Sequence, residues 1–472
     1  MLQFIDLYRY QNRAAQFIVD TPNCAVWADV GMGKSALTLT AFNAMRSHFN
    51  ACRMLVIAPL RVARKTWRDE AAEWGHTRHL HVAAIVGTPE QRMKALRTPA
   101  DVHCVNYDVL DWLEAQFIQH GKQTVHWPWD LVALDEAHRV KDQSTVRWKM
   151  LRKVRRLFPR LVELTGTPSP NGYADLWAQI YLLDQGKRLG FTEDAYKQRW
   201  FDPPGFGDYS PWRLKHGADK EIQEAIADLV LTLRTEDYME LPPIIYNPIR
   251  VELQPHQKKL YREFERKMVA EIGGRTLTAP NSAALNQKLL QLANGVVYAG
   301  VERAIMEIHG EKLNALEELL EDLGDKQVMI SYYFKHDLER IKATLGKYRQ
   351  RSWRVLRTEQ DEDDWNAGKI QWLLVHPDSA GEGVNLHKSG CENVVWYGMT
   401  PSLLQWQQLN GRLFGGVRRL GKNGRVHYIS ADGTIDEDYR DLLSRKDTTQ
   451  EGLKEALARR IQTNSAVSTN PR

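Results

Sequence analysis

The chain has 472 residues, 43% of them apolar, with 64 basic and 59 acidic side chains and a formal net charge of +5. Length alone suggests about three domains, with two large ones fitting equally well, and the charge permits nucleic-acid binding without arguing for it. No apolar run reaches the length of a membrane span, and the opening MLQFIDLYRYQ lacks the regions of a secretory leader. The four cysteines (Cys24, Cys52, Cys104, Cys391) form no CxxC pair and read as buried thiols of a reducing cytoplasm. The fifteen tryptophans are expected mostly in cores, a few being available to stack on bases.

In chain order, strand-like runs alternate with helix-like runs twice. The first series is 24–29, 53–59, 103–110, 131–137 and 160–168, and the second is 327–334, 354–359, 372–377, 393–399 and 425–431. Each run is apolar on both faces, as in a parallel sheet covered by helices, so the expected class is α/β with two doubly wound sheets. The proline-rich LPPIIYNPI (241–249) reads as an extended hinge, placed at 241–253. The expected plan is a first lobe at 1–240 and a second at 254–448. Helical additions fall at about 184–236 and 254–322, and 449–472 is a helix with a polar, disordered tail.

CAVWADVGMGKSALTLT (24–40) is a strand, a turn and the start of a helix. Gly31 and Gly33 let successive backbone N–H groups turn inward on a phosphate chain, and the helix adds its positive end. Lys34 is expected to reach the terminal phosphates and Ser35 to offer a hydroxyl to Mg²⁺. Ala28 stands where the full pattern has its first glycine; a glycine-rich helix cap is the plainer reading. LVALDEAHRV then ends a strand on Asp135-Glu136-Ala137-His138. Carboxyl ends of parallel strands face the ligand crevice, so Asp135 can hold Mg²⁺ and Glu136 can polarise the attacking water. The plainer reading is an acidic helix start.

These motifs, with LTGTP (164–168), resemble superfamily 2 helicases. Longer stretches (7–18, 55–74, 135–145, 164–184, 229–243, 327–341, 379–398, 405–413 and 433–438) resemble the Swi/Snf-type translocases of double-stranded DNA. The resemblance runs to about residue 445 and implies two RecA-like lobes, ATP with Mg²⁺, and double-stranded DNA as partner. It implies that Gln11 reads adenine and that Gly383 lies in the glycine-rich motif linking nucleotide to nucleic acid. Thr165 and Thr167 would couple hydrolysis to the bound strand, or simply cap a strand end. Arg61, Tyr107 and Ser379 would touch backbone phosphates, Arg61 having a solvated surface arginine as its alternative. Trp67 and Trp74, seven apart on one helical face, read as core.

The family's last motif carries two arginines three apart. Arg412 fills the first place, Gly415 the second, and GRLFGGVRRLGK (411–422) reads as a four-residue insertion after which Arg419, with Arg418 in competition, restores the pattern. Arg412 and Arg419 are therefore the expected arginine fingers. The functional expectation is an ATP-driven motor on double-stranded DNA in a bacterial or phage-infected cell; the alternative is a strand-separating helicase or the motor of a restriction system.

Overall fold

The structure, a computed structural model, describes residues 2–117, 127–169, 172–203, 212–273, 279–299, 304–380, 383–400, 402–416, 421 and 423–444. The chain divides into two compact units, with the boundary between Glu240 and Leu241.

The first unit holds strands β1 (Asn23–Ala28), β2 (Met54–Ala58), β3 (Val82–Ile85), β4 (Val102–Asn106), β5 (Leu131–Asp135) and β6 (Arg160–Thr165). A short antiparallel pair, β7 (Phe201–Asp202) and β8 (Arg213–Leu214), precedes β9 (Val230–Leu233). The main sheet has the order β3-β4-β2-β5-β6-β1-β9, and every neighbouring pair is parallel. Along β2, Met54, Val56 and Ala58 join one core with Phe42 and Trp67, while Leu55 and Ile57 join another with Trp148 and Trp177. Burial on both faces explains why these strands read as unbroken apolar runs rather than alternating ones. Helices α1 (Arg9–Asp20), α2 (Lys34–Ser47) and α3 (Trp67–Glu73) belong to this unit; a π-helical turn, Val62–Thr66, leads into α3.

The second unit holds β10 (Ile245–Val251), an antiparallel hairpin β11 (Val296–Ala299) and β12 (Ala304–Glu307), then β13 (Val328–Ser331), β14 (Trp353–Val355), β15 (Trp372–Val375), β16 (Asn393–Trp396) and β17 (Arg425–Ala431). Its sheet runs β10-β17-β16-β13-β15-β14, again parallel throughout. Beneath it lies a buried polar network. Lys312 Nζ sits 2.5 Å from Asp436 Oδ2, which also accepts from Ala431 N at 2.9 Å. The same ammonium donates to Asn294 Oδ1, and Asn294 Nδ2 donates to Asp337 Oδ2, each at 2.9 Å.

Three expectations are corrected. Residues 245–251, expected as part of a hinge, are an edge strand paired with β17; an edge position tolerates Pro248, which has no N–H to give a ladder. β3 was absent from the expected strands because Val-Ala-Ala-Ile is short and only its last residue is fully buried. Cys52 is exposed, whereas Cys24, Cys104 and Cys391 are buried as expected; all four are free thiols. Trp406 stacks on Trp396 with ring centroids 4.5 Å apart, inside the unit. Among the described residues no helix is long and apolar enough to cross a membrane. The expected terminal helix and tail at 449–472 lie outside the described residues.

Candidate active site

The order β5-β6-β1 sets the carboxyl ends of three parallel strands side by side, and three of the sequence motifs fall on those ends. β1 leads into the turn that enters α2 at Lys34. Gly31 and Gly33 have φ of 88° and 78°, a left-handed backbone that a side chain would strain. Gly33 is fixed a second way, because a Cβ there would lie 2.3 Å from Gln11 Nε2. The buried Gln11 amide accepts from Tyr8 N at 2.9 Å and donates to the Met32 carbonyl at 3.3 Å, so it braces this turn. An amide oxygen has two lone pairs and its nitrogen two hydrogens, which leaves one of each for an adenine edge.

Lys34 Nζ donates to the Ala28 carbonyl at 2.9 Å, so the ammonium lies across its own loop. A Cβ on Gly166 would stand 3.3 Å from that carbonyl oxygen and 3.6 Å from Lys34 Nζ. The turn after β6 therefore closes on the phosphate loop.

β5 ends on Asp135, whose side chain is buried. Its Oδ2 accepts from the Trp67 indole Nε1–H and its Oδ1 from Glu136 N, both at 3.0 Å. Burial, with help from the Glu136 charge, pushes the Asp135 carboxyl up to about 6, against the opposing pull of the Lys34 ammonium. Glu136 has φ 55° and ψ 53° and begins the 3₁₀ turn Ala137–Val140. His138 Nδ1 is 3.4 Å from the Glu136 carboxylate and 3.2 Å from Thr165 Oγ1, joining the ends of β5 and β6. Thr165 Oγ1 also accepts from Thr167 N at 3.1 Å, and the Thr167 hydroxyl is buried without a hydrogen-bond partner.

This donor set fits nucleotide phosphates with a divalent cation. A buried carboxylate ends β5 with each oxygen accepting one N–H, a serine sits in the first turn of α2, and an orphan hydroxyl lies at the adjoining strand end. Among the described residues no group of three or more His, Cys, Asp or Glu could hold a metal by itself. Mg²⁺ asks for less than that, since one or two protein oxygens suffice when phosphates supply the rest.

The other expected residues are placed less uniformly. Tyr107 and Thr165 are 3% and 0% exposed, so neither is at a surface where it could touch nucleic acid as folded. The Tyr107 hydroxyl instead donates to the Asp135 carbonyl at 2.9 Å. Arg61 is half-buried at the start of the π turn, and Ser379 is exposed in the short helix Pro377–Ala380. Gly383 has φ 69°. Arg412 is buried in the last turn of the helix Leu403–Phe414. Arg418 and Arg419 lie outside the described residues. Two residues at the site carry no expected role: His138, and Trp67, which is a core residue whose indole N–H also reaches the carboxylate.

Residues 9–299 match the SNF2-related domain family. Protein p41 of Acyrthosiphon pisum secondary endosymbiont phage 1 is 37% identical over 470 residues, which is 96% of this chain and 98% of that protein. The DNA annealing helicase and endonuclease ZRANB3 of Bos taurus is 21% identical over 464 residues, 92% of this chain, which spans 39% of that protein's length. The solved Pyrococcus furiosus Hef helicase domain shares the fold over 94% of this chain and 100% of its own, at 16% identity and a TM-score of 0.54.

Proposed function

The chain belongs to the SNF2-related domain family, and from that premise we propose that it is an ATP-driven motor of helicase superfamily 2 that translocates on or remodels double-stranded DNA. The observation that carries the reading is the convergence of the phosphate loop, Asp135-Glu136 and Thr165–Thr167 on adjacent strand ends of one parallel sheet. The α2 N-terminus, Gly31, Gly33 and Lys34 bind the phosphate chain, and Gln11 selects adenine. Ser35 and Asp135 would hold Mg²⁺, which when bound supplies charge neutralisation at the β- and γ-phosphates. Glu136 orients the attacking water and accepts its proton. His138 ties the base to Thr165, so a change at one strand end is felt at the next. Arg412 is the finger for charge on the transferred group, and Arg419 is its proposed companion. Arg61 and Ser379 are the proposed backbone contacts to DNA, a largely sequence-independent grip, whereas the Thr167 hydroxyl is buried and, like Thr165, does not reach a surface. Gly383 belongs to the motif between the two ligands. The reading sets the protein in the cytoplasm of a bacterial or phage-infected cell, in keeping with its phage relative.

The test is ATP turnover at low salt without nucleic acid and with duplex DNA, single-stranded DNA and RNA. Duplex DNA should stimulate turnover, and the stimulation should fade as salt rises. Equal rates in all four conditions refute the motor reading; stimulation by single strands alone favours strand separation, which a displacement assay then measures.

A further inference from the structure

The Asp135–Glu136 peptide is held at both of its polar ends. Its carbonyl oxygen accepts from the Tyr107 hydroxyl at 2.9 Å, and its N–H donates to Asp135 Oδ1 at 3.0 Å. The remaining carboxylate oxygen is taken by the Trp67 indole at 3.0 Å. Tyr107 follows β4, Trp67 opens α3, and both are buried, so three separate elements converge on one peptide unit. We propose that Trp67 and Tyr107 are positioning residues: Trp67 orients the Asp135 carboxylate toward the cation, and Tyr107 locks the peptide plane that aims the Glu136 side chain. This rests on the nucleotide reading above.

The reason such support is needed lies in the backbone. Glu136 is one of three non-glycine residues with positive φ among those described, at 55°. That conformation is unfavourable for a residue with a Cβ, and it persists only where the surroundings over-determine it. Fixing the preceding peptide plane sets one end of that torsion, and the Glu136 carbonyl, which accepts from Arg139 N at 3.0 Å, sets the other. The π turn Val62–Thr66 lies immediately before Trp67. A π turn adds residue length without adding a full rotation, a device that re-aims the side chains after it. Each carboxylate oxygen has two lone pairs and uses one on an N–H, so a lone pair on each stays open to a cation or its bound water.

A plainer account is that any buried indole or phenol needs a partner and these found the nearest one. The two accounts differ in what a conservative substitution does. Trp67→Phe keeps an aromatic ring in the core and removes the donor. On the positioning account, Mn²⁺ affinity of the ADP-bound protein, read by electron paramagnetic resonance, should fall about 10-fold or more, as for other partners of metal ligands. ADP affinity in EDTA should stay within about twofold, since no cation is then present to be oriented. Tyr107→Phe removes one hydroxyl; it should lower kcat about 10-fold while leaving Mn²⁺ affinity and the KM for ATP unchanged, because only the base is mis-aimed. Thermal melting checks both folds, and should Trp67→Phe fail to melt cooperatively, Tyr107→Phe decides alone. Wild-type Mn²⁺ affinity in Trp67→Phe, or wild-type kcat in Tyr107→Phe, overturns the assignment of that residue. Wild-type protein that binds no Mn²⁺ with ADP, or whose turnover survives Lys34→Ala, breaks the nucleotide reading instead.

Discussion

Each unit buries an aspartate near the end of its sheet, and the two are treated in opposite ways. Asp436 in the second unit meets the Lys312 ammonium at 2.5 Å, and that ammonium is shared with Asn294, whose amide reaches Asp337. Asp135 in the first unit meets an indole and a backbone N–H, and its carboxyl is pushed up to about 6 despite the Lys34 ammonium nearby. A buried carboxylate neutralised by a cation of its own chain is part of a scaffold. One left short of positive charge stores an unfavourable interaction that a cation can relieve, which is what a site for a transient ligand needs.

Glu136→Gln should cut turnover by roughly 10³-fold while leaving ATP binding and melting close to wild type. A variant with near-normal turnover refutes the assigned chemistry. Lys312→Met is the counterpart in the second unit. It leaves Asp436 buried without its cation and should cost about 3–5 kcal/mol, seen as a melting temperature lower by on the order of 10 °C. No loss of stability there would mean that the network is not the scaffold described.

Asp135→Asn should have the opposite sign. The folded carboxyl titrates at about 6, above its ordinary value of 3.8, so the native state binds the proton more readily. Stability conferred by that proton is present below about pH 4 and is lost as pH rises through about 6, leaving the full penalty above. In the absence of nucleotide, Asp135→Asn should therefore stabilise the protein by about 1–3 kcal/mol at pH 8 and by nothing at low pH, while abolishing turnover. Denaturant melts at several pH values read this directly; a destabilised variant at pH 8 would overturn the account. The smallest effect is at Gly33. Gly33→Ala should cost about 1–2 kcal/mol from the left-handed backbone alone, and the contact with Gln11 should weaken ATP binding further. Unchanged ATP affinity in that variant would remove the turn from the site.

What was legible in the sequence was local. The phosphate loop and Asp135-Glu136 are contiguous strings whose chemistry follows from residue type and from their place after a strand. The parallel sheets were legible because strands buried on both faces must be apolar throughout. Less visible was whatever depends on distant partners. Trp67 shows helical spacing to Trp74 and nothing of the carboxylate its indole meets. Tyr107 falls in the strand-like run 103–110, and nothing in that run shows the Asp135 carbonyl that its hydroxyl meets. Lys312 and Asp436 look like ordinary surface charges until the fold brings them together. β10 was hidden by Pro248 and by Pro242 and Pro243 just ahead of it, since prolines mark linkers more often than strands.

That proline has a bearing on how the molecule behaves at high concentration. Ile245 N donates to the Gly424 carbonyl and the Val251 carbonyl accepts from Asp432 N, so odd-numbered residues of β10 face β17. Tyr246, Pro248 and Arg250 then turn their backbone groups away from it. A strand arriving from another molecule would find no N–H at the centre of that row, and a charged side chain at Arg250. Half-exposed Ile245 and Tyr246 make this edge sticky, and the missing donor keeps it from seeding cross-molecular β-pairing and aggregation.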